Sequence, residues 1–328
     1  MNVAVLGGGA WGTAVAVNLA HRHRVTLWAR SPEQCAVMSA QRENARYLPG
    51  FGFPENLGVS SNLAEAIRTS ELILVAVPTA ALRETIARVA LAGVPAPVVA
   101  LCKGFEPASA KLAHEVCCEE LGAGSRCGVL SGPSFAQEVA RGQPTAVTLA
   151  SASAEFAREA ALALHSPSFR VYSSDDVVGV EVAGAVKNVI AIAAGISDGL
   201  DYGHNARAAL ITRGLAEVTR LGVALGGRAE TFMGLAGAGD LILTCTGDLS
   251  RNRQVGLKLA RGQSLATILT DLGHVAEGVG TARVLCALAD ARGVEMPITR
   301  AVCRVLDDHT QARAAADALL RREPKAER

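Results

Sequence analysis

Apolar positions fall along this chain in two regimes. Over the first half, short continuous apolar runs alternate with stretches of helical spacing. Val3–Leu6, Val25–Trp28, Leu72–Val77, Val98–Leu101, Gly128–Leu130, Thr145–Leu149 and Phe169–Tyr172 read as strands, because runs of this length bounded by glycine, proline or polar clusters fit a pleated ribbon. An alanine- and valine-rich segment over about Thr13–His21 reads as a helix. Runs apolar at every position predict strands covered on both faces, hence a parallel sheet flanked by helices. Past Asp176 the apolar residues are Ala, Gly and Leu at helical spacing, with Pro297 the one proline before the tail. The pattern predicts an α/β chain: a Rossmann-like doubly wound domain over 1–176, then an all-helical domain over 177–328, with the polar turn Ser173–Val178 as boundary. The charged tail Arg321–Arg328 is expected to fray.

The first strand runs directly into Gly7-Gly8-Gly9-Ala10-Trp11-Gly12 and then a helix. In this strand–turn–helix setting the glycines have separate physical tasks. Gly7 permits the tight turn, Gly9 lets the backbone approach a pyrophosphate, and Gly12 lets the helix pack on the strand, with the helix N-terminal amides facing the anion. The spacing therefore predicts a dinucleotide site. The end of the second strand bears on which dinucleotide. An acidic residue there would accept from a ribose 2′-hydroxyl, but Trp28-Ala29-Arg30-Ser31 offers the cation Arg30 instead. That favours NADP(H) through its 2′-phosphate. Glu33 is close enough in sequence to keep NAD(H) possible.

Composition narrows the class. The 328 residues are 50% hydrophobic and 19% charged, a globular composition with length for about two domains. Lys plus Arg is 32 against 31 for Asp plus Glu, a net charge of +1, which argues against a nucleic-acid binder. The eight cysteines are scattered, with no CxxC or Cys/His spacing for zinc, and are expected to be free thiols. The longest apolar stretch, Val182–Ile196, is interrupted by Lys187 and Asn188 and falls short of the roughly 20 residues that span a bilayer. With no basic leader before the first strand, these features predict a soluble cytoplasmic protein with no membrane partner.

Lys187 lies in the apolar run Val182–Ile192. Desolvation there penalises the ammonium form and suits a lysine to move a proton near neutrality. A lysine snorkelling outward, or paired with a carboxylate, fits the same spacing. Further on, Asp240 follows the glycine turn of Leu235-Ala236-Gly237-Ala238-Gly239, and Ser250-Arg251-Asn252-Arg253 opens a helical pattern. Ser250 as N-cap, with Arg251 and Asn252, would make a phosphate site at a helix start. Lys103 ends a strand in the crevice where such folds bind ligands. Ser131-Gly132-Pro133-Ser134 has no nucleophile-elbow pattern, so no serine hydrolase is expected. The histidines form no metal pattern, and His204 and His274 are expected to be structural.

These segments occur in the order that marks a known family. From Val3 to about Ala318 the chain resembles the soluble NAD(P)-dependent glycerol-3-phosphate dehydrogenases of bacteria. The resemblance rests on Gly7–Thr13, Lys103-Gly104, Ser131–Ala136, Gly184-Ala185-Val186-Lys187-Asn188, Gly237–Leu241, Ser250-Arg251-Asn252 and Glu277-Gly278. It implies interconversion of dihydroxyacetone phosphate and sn-glycerol 3-phosphate, supplying phospholipid synthesis, by a homodimer. Family roles then fall on Lys187 as proton donor and acceptor. Lys103, Gly132, Ser134, Lys187, Asp240, Ser250, Arg251 and Asn252 would contact substrate. Gly7, Gly9, Ala10, Trp11, Gly12, Arg30, Lys103, Ala136, Arg251, Val275 and Glu277 would line the dinucleotide. Ala10 replaces a serine of some members, so only its backbone amide can serve.

Two other readings fit the residues taken without the resemblance. A hydroxyacid or ketopantoate reductase of the same layout would use arginine for a substrate carboxylate. A non-catalytic dinucleotide-binding redox sensor would need the glycine loop but no lysine isolated among apolar residues.

Overall fold

A computed structural model of the chain describes residues 1–122, 124–272, 276–307 and 310–323. They form two compact units, Met1–Glu181 and Val182–Arg328. The strands of the first unit are β1 (Asn2–Leu6), β2 (Arg24–Trp28), β3 (Glu43–Asn44), β4 (Leu48–Gly52), β5 (Leu57–Ser60), β6 (Leu72–Val75), β7 (Val98–Ala100), β8 (Cys127–Ser131), β9 (Thr145–Ala150) and β10 (Phe169–Ser174). Its complete helices are α1 (Ala10–Ala20), α2 (Pro32–Gln41), α3 (Leu63–Ile67), α4 (Leu82–Leu91), α5 (Ala113–Leu121), α6 (Ala136–Ala140) and α7 (Ala154–Leu164).

Eight strands form one sheet in the order β10-β9-β8-β7-β6-β1-β2-β5. The chain winds outward from β1 through β2 to β5, then returns to lay β6 on the other side of β1. The strand order therefore reverses between β1 and β6, where a crevice opens beyond the carboxyl ends of parallel strands. All residues of β6 and β7 are buried, as expected for strands covered on both faces. At the edge, β10 buries Phe169 and Val171 while Arg170 and Tyr172 face water.

Every strand expected from an apolar run is present. The sequence reading missed β3, β4 and β5, which carry glycine, proline, asparagine and serine in place of an apolar run. Apart from the separate antiparallel pair β3 and β4, one pairing departs from the parallel expectation: within the eight-stranded sheet β8 and β9 run antiparallel. Their connection carries only the five-residue α6, whereas the parallel pair β9 and β10 is joined through the eleven-residue α7, in keeping with the longer crossover that parallel pairing needs.

The second unit is helical throughout its described residues. Its helices are α8 (Val177–Gly199, which begins in the first unit), α9 (Gly203–Ala224), α10 (Ala229–Phe232), α11 (Asp240–Thr246), α12 (Arg251–Ala260), α13 (Leu265–Leu272), α14 (Glu277–Ala291), α15 (Pro297–Asp307) and α16 (Ala312–Leu320). At 23 residues α8 is longer than the apolar run read from the sequence, and by length and composition it could cross a membrane. Its most apolar window is 94% buried within the protein, which accounts for its composition as that of a core helix. Glycines bring α8 and α12 into backbone contact. A Cβ at Gly195 would lie 2.0 Å from the Arg253 carbonyl oxygen, and one at Gly256 would lie 2.1 Å from that of Ile192. The start of α15 is fixed from α9: the Glu217 carboxylate accepts from the Ile298 amide at 2.6 Å and from the Thr299 amide at 3.1 Å. The expected fraying of the tail falls largely on residues 324–328, outside the described residues.

Candidate functional site

In the first unit, the glycine loop sits at the switch point. Gly7 has φ +128°, and a Cβ there would lie 2.5 Å from the Ala76 carbonyl oxygen. Only glycine fits this turn between β1 and the segment after β6. A Cβ at Gly12 would lie 2.0 Å from the Gly7 carbonyl oxygen, whereas one at Gly9 would meet nothing within 4 Å. The loop is therefore packed tight behind Gly7 and Gly12 and open at Gly9, which caps α1. Thus α1 begins at Ala10, directly after the loop and earlier than the expected Thr13, so its first amides are those of the loop itself. The Gly8 carbonyl accepts from Gln34 Nε2 and from Asn44 Nδ2, each at 3.0 Å, and the same Asn44 nitrogen donates to Thr13 Oγ1 at 2.7 Å. These bonds fix the loop from α2 and β3. Beside it, Trp11 Nε1 is enclosed and has no hydrogen-bond partner among the described residues.

At the end of β2, Arg30 is exposed. Ser31 caps α2, accepting from the Gln34 amide at 3.1 Å, and its hydroxyl donates to Glu33 at 2.6 Å. Glu33 is thereby engaged at the helix start, and Arg30 remains the exposed charge at the strand end. Across the sheet, Lys103 and Ser134 converge on one atom. Lys103 Nζ donates to the Gly132 carbonyl oxygen at 3.0 Å, and Ser134 Oγ donates to it at 2.8 Å. Gly132 has φ +141° and lies so near Val147 that a Cβ would come within 2.9 Å of its Cα. Ala136 opens α6 just beyond.

In the second unit, Lys187 and Asp240 form a buried ion pair, with Nζ 2.5 Å from Oδ1. Lys187 also donates to Thr244 Oγ1 at 3.0 Å, and that hydroxyl donates to the Asp240 carbonyl oxygen at 2.6 Å. Of the alternatives that the spacing allowed, the carboxylate partner is the one observed. A π-helical turn over Leu235–Gly239 delivers Asp240 to this position, and Gly237 packs so closely on Phe232 that a Cβ would lie 2.0 Å from its carbonyl oxygen.

The Ser250 cap forms as expected, its hydroxyl accepting from the Arg253 amide at 3.3 Å. Asn252 Nδ2 donates to Asn188 Oδ1 at 2.9 Å, and Asn252 Oδ1 accepts from the Gly278 amide at 3.1 Å. This chain of bonds joins the residue after Lys187, the start of α12 and the first turn of α14. Arg251 reaches the surface, yet neighbouring protein crowds it enough that desolvation lowers its proton affinity, an effect that the nearby charge of Glu277 only partly opposes.

Comparison with known proteins decides the family. A family model described as the NAD-dependent glycerol-3-phosphate dehydrogenase N-terminus matches residues 2–157, and one described as the C-terminus matches 176–317. The chain belongs to the NAD-dependent glycerol-3-phosphate dehydrogenase family. It is 59% identical to the protein named glycerol-3-phosphate dehydrogenase [NAD(P)+] of Nitrosospira multiformis, covering 100% of this chain and 99% of that one. It is 58% identical to the protein of the same name in Thiobacillus denitrificans, covering 100% of each. Among solved structures, glycerol-3-phosphate dehydrogenase from Coxiella burnetii superposes with a TM-score of 0.93 at 43% identity, covering 98% of this chain and 99% of that one.

Within this glycerol-3-phosphate dehydrogenase fold, the sequence-predicted residues gather into groups in each unit. The loop Gly7–Gly12 forms one group of the first unit and Lys103, Gly132 and Ser134 another. Lys187 with Asp240 and Asn252 with its Gly278 partner form those of the second. Val275, and with it His274, lies outside the described residues. His204 bonds Arg207 on the surface, its Nδ1 2.8 Å from the guanidinium. The reading missed three contributors: Thr244, Asn188 and Asn44. Thr244 stands four residues after Asp240, one turn along α11, a spacing that puts both on one helix face. Asn188 is a second polar residue inside an apolar helix. Asn44 gives no signal, because its neighbours in sequence form no recognisable pattern.

Proposed function

We propose that this protein is an NAD(P)-dependent glycerol-3-phosphate dehydrogenase that interconverts dihydroxyacetone phosphate and sn-glycerol 3-phosphate. The buried Lys187–Asp240 pair carries the reading: among the residues described, it is a proton-bearing side chain held in a dry setting by a carboxylate and a hydroxyl. The first unit, essentially 1–176, binds the dinucleotide and the second, 177–328, binds the substrate.

The residues fit a dinucleotide. The loop is open at Gly9, the first amides of its helix lie beyond the reach of intrahelical acceptors and suit a pyrophosphate, and Trp11 offers an enclosed donor. When bound, the nicotinamide supplies or accepts the hydride at substrate C2. Lys187 Nζ gives the proton that neutralises the C2 oxygen in reduction and takes it back in oxidation. Asp240 favours the ammonium form, so the proton is present when charge develops on that oxygen. Thr244 fixes the direction of Nζ. Arg251, with the Ser250-capped helix start, holds the phosphate end. Lys103 and Ser134, converged on the Gly132 carbonyl, provide further polar contacts to substrate. Gly7, Gly9, Ala10, Trp11, Gly12, Arg30, Ala136, Val275 and Glu277 serve the dinucleotide, with Lys103 and Arg251 near both ligands.

The cation Arg30 supports NADP(H) as the favoured cofactor with NAD(H) usable. The same reading carries a homodimer in the cytoplasm, checked by sedimentation and by cell fractionation. The activity test is spectrophotometric: the purified protein should oxidise NADPH when given dihydroxyacetone phosphate. Absence of turnover with it, alongside turnover with ketopantoate or a 2-oxo acid, would overturn the reading.

A further inference from the structure

The helices α14 and α15 pack antiparallel and meet along a ladder of three side-chain pairs. Arg283 of α14 bonds Asp307 of α15 at 2.6 Å. One turn on, Cys286 and Cys303 bring their sulfurs to 2.7 Å. A further turn on, Asp290 pairs with Arg300. Positions 283, 286 and 290 form one stripe of α14, and 300, 303 and 307 one stripe of α15, as three- and four-residue helical spacing requires. The thiol pair is thus held in register by an ion pair on each side.

We propose that Cys286 and Cys303 are a reversible redox modification site, closing to an intramolecular disulfide with a low-molecular-weight disulfide such as glutathione disulfide as oxidant. A disulfide bond is about 2.05 Å long, so its formation needs the sulfurs to move together by less than about 1 Å. Both cysteines are partly exposed, so a small disulfide reaches them. Among the described residues the other sulfur contact, Cys118 with Cys127, is wider at 3.8 Å and is not flanked by a pair of ion pairs joining its two elements.

The order of attack follows from the surroundings. The Cys303 sulfur also lies 3.1 Å from the Ala282 carbonyl oxygen, and its thiol is raised well above the ordinary range by its bond to Cys286 and by burial. Cys286 is lowered, first by its bond from Cys303 and further by the Arg300 charge, against the pull of burial. Cys286 is therefore the attacking thiolate. It displaces one glutathione thiolate and holds the other as a mixed disulfide. Cys303 then gives up its proton and attacks Cys286 Sγ, and the second glutathione thiolate leaves. The protein dithiol loses two electrons and two protons, and one glutathione disulfide becomes two glutathione thiols.

The test uses the full-length native protein. It is incubated with glutathione disulfide, alkylated, digested without reductant and mapped by mass spectrometry. The expected product joins the peptides of Cys286 and Cys303 and disappears with dithiothreitol. In Cys303→Ser, glutathione should stay on Cys286; in Cys286→Ser, Cys303 should be recovered as an alkylated thiol. The oxidised wild type should melt higher than the reduced one, by about 5 °C for a loop of this size. The proposal fails if native wild type yields both cysteines alkylated after oxidation, or keeps glutathione on Cys286 without closing the bond.

Discussion

Lys187 Nζ and Asp240 Oδ1 lie 2.5 Å apart, with 6% of the lysine and 1% of the aspartate exposed. Neither could be buried alone as an ion at tolerable cost. Their pairing makes the two substitutions unequal in what they reveal.

Lys187→Met should lower turnover by about 10²–10⁴, the range for losing an acid/base group, while NADPH binding, followed by fluorescence titration, survives. It should also destabilise the fold by about 3–5 kcal/mol, because the buried Asp240 carboxylate loses the opposite charge that compensates its desolvation. Adding Asp240→Asn should restore much of that stability without restoring turnover. Steady-state kinetics and thermal melts on both variants separate these effects; retention of most turnover by Lys187→Met would remove the lysine from the chemistry.

Arg251→Ala should raise KM for dihydroxyacetone phosphate, since charge-assisted bonds to phosphate are roughly twice as strong as neutral ones. A smaller rise in KM for NADPH is expected. Initial-rate measurements with each ligand varied in turn check this, and unchanged KM values for both would exclude the guanidinium from either site.

Arg30→Asp should erase or reverse the preference for NADPH over NADH. Because Arg30 is exposed, screening limits its share to about 1–2 kcal/mol, or about five- to thirtyfold in the ratio of kcat/KM values. If wild type and variant give equal ratios at fixed ionic strength, discrimination lies elsewhere.

Glu217→Ala should destabilise the second unit by about 2–3 kcal/mol, because the Ile298 and Thr299 amides that its carboxylate accepts from would be left buried without partners. Chemical denaturation reads the loss. An unchanged midpoint would show that water or another group takes over the start of α15.

His114 supplies the pH-dependent prediction. Burial acts against its charge, but its bond to Glu181 and that carboxylate's charge outweigh burial, so its proton affinity is raised in the folded state. The His114 amide also donates to Glu181 at 2.9 Å. A raised folded-state value means that the contribution is complete below the unfolded value of about 6.5 and is lost as pH rises through the folded one. The stability advantage of wild type over His114→Gln should therefore be largest near pH 5–6 and shrink toward alkaline pH. Melting curves across that range test it; a constant difference would mean that the imidazole stays neutral.

The parts of this molecule that were legible in its sequence are those fixed by local pattern. The glycine loop announces itself because Gly7 and Gly12 answer steric demands visible in the structure, while Gly9 leaves the loop open. Lys187 and Asp240 stood out as charges in apolar or glycine-rich settings, but their pairing depends on how α8 and the turn before α11 pack, which periodicity does not encode. The strands β3 to β5 were hidden because they lie at or near an edge, where fewer apolar residues are needed. Asn44 was invisible for a related reason: its value lies in reaching the Gly8 carbonyl, a long-range contact made by a residue without a local signature.

The glycine contact between α8 and α12 has a mechanical consequence. With no side chain between Gly195 and the Arg253 carbonyl, the two helices have no compressible layer to absorb a shift. Lys187 on α8 and Arg251 on α12 are thus mounted on one stiff frame, and with the roles proposed for them the spacing between proton donor and phosphate clamp becomes a fixed gauge for the length of the substrate. Prying the helices apart with a larger residue at 195 or 256 would recalibrate that gauge, so that substrates one carbon longer lose less than the natural one.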